Sequence, residues 1–140
     1  MPLSGFSSCC QNQQRIIVSE ERGRKHRANN VNQSQVNHYH VDGEVITDNR
    51  EKKCDYLLIN ENTSIAYLIE LKGKRLGIAA EQLENTERLL QNELASYQIK
   101  YRIVSSQGQT HKLQDSSYRI FKNKKKDAVD YKVGLYEEKI

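Results

Sequence analysis

The chain has 140 residues, of which 36% are hydrophobic and 29% charged, with a formal net charge of +4. That length predicts one domain, residues 1–140, with a small core and polar peripheries. No apolar run is long enough to span a bilayer, and residues 1–8 lack the basic start and apolar stretch of a secretory signal, so no membrane partner is expected.

Residues 1–14 are polar and are expected to fray. Arg15 to Val18 reads as a short strand or as part of a helix. Arg22 to Gln35 is rich in Arg, Asn and Gln, with few apolar anchors, and reads as a loop or extended arm. Val36 to Thr47 is strand-like. His38 and His40 share one face of it, but no third ligand joins them at a zinc spacing. Three cysteines, Cys9, Cys10 and Cys54, show no framework spacing, which predicts a reducing, cytoplasmic setting.

Two strong apolar strands follow, Cys54 to Ile59 and Ile65 to Gly73. Asn60 to Ser64 is a hairpin turn between them. With Glu61 to Ser64 as the loop, Asn60 pairs with Ile65 and Asp55 falls directly across from Glu70. Lys72 lies two residues beyond Glu70 and shares its face. A slip of one residue would destroy this arrangement.

Leu76 to Ser96 is predicted as a helix with an apolar stripe of Leu76, Ala79, Ala80, Leu83, Leu90 and Leu94. Ile99 to Val104 alternates as a strand. Tyr118 to Phe121 and Tyr131 to Tyr136 read as two further strands around a lysine-rich turn, so residues 105–140 form a C-terminal strand extension. The predicted fold is α/β or α+β, a small mixed sheet flanked by helices.

Two carboxylates, Asp55 and Glu70, with the main-chain carbonyl of Leu71, offer hard oxygen ligands for Mg²⁺ or Mn²⁺. A lysine beside them suits the orientation of an attacking water. Asp55, Glu70-Leu71-Lys72 and the helix that follows resemble the PD-(D/E)xK nuclease superfamily, with its restriction-endonuclease-like core. The resemblance covers residues 36–104, about half the chain. It implies a metal-dependent nuclease in which Asp55 and Glu70 bind the metal, Lys72 assists water attack, and Gln82 supports the site. The family's first helix often supplies a glutamate, which Glu20 or Glu21 would provide if Asn12 to Glu21 were helical. Glu44 is another candidate, but if Thr47 pairs with Lys53 it points to the face away from Asp55, and it is left out.

Three basic groups suit a phosphate backbone: Arg22, Arg24, Lys25 and Arg27; Lys74 and Arg75 beside Lys72; and Lys124, Lys125 and Lys126. The expected partner is nucleic acid, with DNA favoured, and a homodimer would enlarge the limited binding surface. The alternative is a catalytically inactive nuclease-fold module that binds nucleic acid or protein. The charged hairpin end would then be an ordinary ion cluster, and Gln82 a polar residue at the border of the helix stripe.

Overall fold

The computed structural model describes residues 3–73, 75–106 and 116–140, and the backbone alone for residues 72 and 73. The chain folds as an α+β sandwich of three layers. The central layer is a five-stranded sheet of β3 (Val36–His40), β4 (Tyr56–Asn60), β5 (Ile65–Gly73), β6 (Gln98–Ser105) and β7 (Val129–Val133), side by side in that order. The helices α1 (Leu76–Leu89) and α2 (Ser116–Lys125) cover one face. A three-stranded sheet of β1 (Ile16–Glu21), β2 (Arg24–Asn29) and β8 (Leu135–Lys139) covers the other.

The hairpin of β4 and β5 sets the frame. Asn60 pairs with Ile65 and Tyr56 with Ile69, the register read from the sequence. The Asn60 side chain fixes the turn by accepting the N–H groups of Asn62 (3.0 Å) and Thr63 (3.2 Å). Alternation then sends Leu57, Ile59, Ala66 and Leu68 toward the helices, and Leu58, Tyr67 and Ile69 toward the small sheet. Both faces are buried, which is why the two strands read as nearly continuous apolar runs.

The antiparallel β3-β4-β5 meander is followed by α1, which crosses over so that β6 lies parallel to β5. This is the predicted strand-strand-strand-helix-strand order. The α1 helix ends at Leu89, short of the predicted Ser96. The chain continues in turns with Leu94 N–H donating to Leu90 O at 2.9 Å, so Leu90 and Leu94 stay buried. The apolar spacing therefore outlasts the helix.

Four other expectations are corrected. Arg22 to Gln35 is no arm: β1 and β2 form a hairpin whose two-residue turn, Arg22 (φ 51°) and Gly23 (φ 83°), has the positive φ that such turns require. Tyr118 to Phe121 is not a strand but part of α2, with Tyr118 and Phe121 one turn apart and both buried. Tyr131 to Tyr136 is broken at Gly134 (φ 78°), so β7 joins the large sheet while β8 pairs with β2 in the small one. Residues 3–14 are held along β3. The N–H of Leu3 donates to Tyr39 Oη (3.0 Å), and that of Cys9 to His38 O (2.6 Å). Ser8 Oγ accepts the His38 N–H (2.9 Å), and Asn12 Oδ1 that of Val36 (3.2 Å). That arm covers an otherwise open sheet edge.

A buried ion cluster ties the two sheets together. Glu138 on β8 accepts from His26 Nε2 (2.7 Å), Arg102 Nε (2.8 Å) and Arg102 Nη2 (3.2 Å). Burial raises the Glu138 pKa, but these donors outweigh it and hold the carboxyl below its ordinary value. Among the described residues, no helix is long and apolar enough to cross a membrane.

Candidate active site

Asp55 precedes β4 by one residue, just beyond the Tyr56–Ile69 pair that ends the regular ladder. Strand alternation puts Glu70 on the α1 side of the sheet, with Leu68. Both carboxylates are buried, Asp55 at 1% exposure and Glu70 at 0%. The strand pair ends irregularly here. The N–H of Asp55 donates to Ile69 O at 3.0 Å, while Asp55 Oδ2 accepts the Leu71 N–H at 2.7 Å. A carboxylate oxygen thus takes a bond that a backbone carbonyl would otherwise receive. Leu71 turns its side chain to the opposite face, into the core beneath the small sheet. Lys74 and the side chain of Lys72 lie outside the described residues.

The helix α1 is fastened to the segment just before Asp55. Gln82 Nε2 donates to Lys53 O at 3.2 Å. Thr86 Oγ1 accepts the Cys54 N–H at 2.8 Å and donates to Gln82 O at 2.7 Å. Gln82 therefore holds the backbone two residues from Asp55. Thr86, which the sequence reading passed over, does the larger part of that work; its spacing of four residues from Gln82, on the same helix face, was the available signal. Cys54 is fully enclosed, and burial, then the nearby Glu70, pushes its thiol pKa up, so it is no nucleophile.

The predicted first-helix glutamate has no helix to sit on. Glu20 and Glu21 lie on β1, a strand of the small sheet, and Glu20 uses its backbone carbonyl to accept from Tyr56 Oη at 3.4 Å. Glu44 is exposed in the loop after β3. Among the described residues, no group of three His, Cys, Asp or Glu side chains is arranged to hold a metal ion. His38 and His40 instead flank the Tyr56 ring, with centroids 5.0 and 4.9 Å away.

The basic groups separate. The Arg22-Gly23 turn lies at the same end of the molecule as Asp55 and Glu70, because β2 meets Gly134 there and Arg24 Nη1 donates to Ser106 Oγ (3.3 Å) just beyond β6. Lys25 and Arg27 point outward from β2, and Arg27 pairs with Glu137 at 3.2 Å. Arg75 is exposed immediately before α1 and borders a cleft with Gly77, Ile78, Glu81, Ser116 and Ser117, so the first turns of α1 and α2 lie together. Lys124 and Lys125 belong to the last turn of α2, not to a turn between strands. They pair with Glu84 (2.7 Å) and Glu87 (3.2 Å) of α1, well along that helix from the site end. Lys126 is exposed after them, at φ 54°.

No family model matches the chain, and it matches neither a curated protein nor a solved structure.

Proposed function

We propose that this chain is a small metal-dependent nuclease of PD-(D/E)xK type that hydrolyses phosphodiester bonds of nucleic acid, with DNA favoured. The observation that carries this reading is the pair of buried carboxylates, Asp55 and Glu70, at the end of the β4–β5 hairpin, where β5 and β6 end side by side. Ligands of open α/β sheets gather beyond the carboxyl ends of such strands. Asp55, Glu70 and the Leu71 carbonyl form a hard oxygen set suited to Mg²⁺ or Mn²⁺. Such a cation, when bound, polarises a phosphoryl oxygen and lowers the pKa of its water.

The chain's own residues supply the rest. The Leu71 N–H and the Gln82–Thr86 clamp fix Asp55 from both sides. Lys72, assigned from the sequence, orients the attacking water and steadies developing negative charge. Arg22, Arg24 and Arg75, at the site end, attract the phosphate backbone. A homodimer and a cytoplasmic setting complete this reading.

The test is cleavage of plasmid DNA in Mg²⁺ or Mn²⁺ by the wild type beside Lys72→Ala and Glu70→Gln. Cutting by the wild type alone, with all three folded by circular dichroism, supports the proposal. Failure of the wild type with either metal, or cutting undiminished in Lys72→Ala, removes it. A second reading, an inactive nuclease-fold module that binds nucleic acid or protein, is favoured by the deep burial of both carboxylates and by the Leu71 bond that gives Asp55 a structural task. Salt-dependent DNA binding in EDTA without cleavage would select the nucleic-acid form of it; no binding at low salt would select the protein form.

A further inference from the structure

A pocket of ≈ 380 Å³ opens between α2 and β7, lined by Tyr118, Arg119, Lys122, Asn123, Asp130 and Tyr131. Its floor and wall are aromatic. Tyr118 is buried, Tyr131 half-buried, and their rings meet edge to face with centroids 6.0 Å apart at 83°. Asp130 fixes this wall: Oδ1 accepts the Tyr131 N–H (2.9 Å) and Oδ2 accepts Tyr136 Oη (2.8 Å). The rim carries an exposed guanidinium, Arg119, and an exposed amide, Asn123. Lys122 Nζ spends its bonds on the backbone carbonyls of Lys126 (3.0 Å) and Val129 (2.5 Å), and among the described residues no carboxylate pairs with it. Its positive charge therefore remains beside the pocket.

Position adds to chemistry. Glu70 pairs with Ile103 and Ile103 with Tyr131, so Tyr131 stands in the same row and on the same face as Glu70. Two strand spacings of ~4.8 Å put their backbones about 10 Å apart. A nucleic-acid strand bridges that gap within a nucleotide or two.

We infer that this pocket receives a nucleobase, stacked on Tyr131 and met at its edge by Asn123 and Arg119, with the attached phosphate drawn to Arg119 and Lys122. Aromatic faces beside cations are the common means of holding single-stranded nucleic acid. The inference rests on the nucleic-acid part of the proposed function but not on cleavage.

Adenosine 5′-monophosphate is titrated into the ¹⁵N-labelled full chain in EDTA, where no cleavage occurs, with inorganic phosphate in a parallel titration. Saturable amide shifts centred on Arg119, Asn123 and Tyr131 are expected with the nucleotide. Phosphate alone should move only the Arg119 and Lys122 region, and more weakly. Tyr131→Phe should bind as the wild type does. Tyr131→Leu, which keeps an apolar side chain against Tyr118, should bind about tenfold more weakly or worse. Arg119→Glu, at an exposed position, should weaken the nucleotide more than it weakens adenosine. The inference is overturned by absence of saturable shifts at millimolar nucleotide, by shifts centred elsewhere, by equal affinity for phosphate, or by Tyr131→Leu binding as well as the wild type. A chain that binds the nucleotide but cuts nothing loses the nuclease reading and keeps this site; one that cuts but shows no shifts does the reverse.

Discussion

Asp55 Oδ2 accepts the Leu71 N–H at 2.7 Å, so the residue assigned to metal binding also closes the end of the β4–β5 ladder. The two tasks separate by substitution. Asp55→Ala leaves the buried Leu71 N–H without its acceptor, a loss of about 1–3 kcal/mol. Asp55→Asn keeps an oxygen for that N–H and removes only the charge. In urea melts Asn should lie within about 1 kcal/mol of the wild type and Ala clearly below it. DNA cleavage should be lost in both. Cleavage that survives in Asp55→Asn would leave that carboxylate with the structural task alone.

The clamp between α1 and the start of β4 makes a similar division. Thr86→Val removes the acceptor of the buried Cys54 N–H and should cost about 1–3 kcal/mol. Gln82→Ala removes one bond of a half-buried side chain and should cost about 0.5–1.5 kcal/mol. If Gln82 only positions the backbone before Asp55, Gln82→Ala lowers kcat while the salt dependence of DNA binding stays unchanged. A reduced salt slope in that variant would mean contact with phosphate instead.

Which basic group faces nucleic acid follows from the ion pairs. Lys124 and Lys125 already pair with Glu84 and Glu87, toward the far end of α1, whereas the Arg22-Gly23 turn stands at the site end. Arg22→Ala and Arg75→Ala should each weaken DNA binding and lower the magnitude of its salt slope by about 1. Lys124→Ala and Lys125→Ala should change neither appreciably. Fluorescence anisotropy of a labelled duplex across salt concentrations decides this, and the reverse ranking would move the nucleic-acid surface to α2.

The legible parts of the fold were those in which local pattern and tertiary role agree. The Asn60–Ile65 register follows from a polar turn between two apolar runs and holds as far as the Tyr56–Ile69 pair, where the bond from the Asp55 N–H to Ile69 O ends the regular ladder. The β2 strand was illegible because only His26 and Ala28 turn inward, and what makes a buried histidine tolerable there is Glu138, more than a hundred residues away. For α2, the lysines dominated the reading and suggested a turn. The one-turn spacing of Tyr118 and Phe121 was the contrary signal, and it gains meaning only once α1 is there to pack against. The first-helix glutamate was expected from resemblance, and resemblance has no power over a segment whose own inward residues, Ile17 and Ser19, alternate as a strand.

His38 gives the fold a predictable acid sensitivity. Its ring is buried between the sheets with Nε2 2.8 Å from Ser19 Oγ, and burial, then the neighbouring His26 and His40, lowers its pKa from 6.5 to about 4. The folded chain keeps this imidazole neutral where the unfolded chain protonates it. Between pH 6.5 and about 4 the unfolded state therefore binds more protons, and stability falls as pH falls, by an amount on the order of 3 kcal/mol across the window. Glu138 acts lower: its depressed pKa makes its contribution present above the unfolded value of about 4.5 and lost only as pH drops through the folded one. His38→Gln keeps an acceptor for Ser19 and cannot titrate. Unfolding free energies measured by urea at intervals from pH 7.5 to 4.5 should show the wild type declining more steeply than His38→Gln below pH 6.5. Two parallel curves would mean that His38 titrates alike in both states and that the ring is not held neutral by its burial.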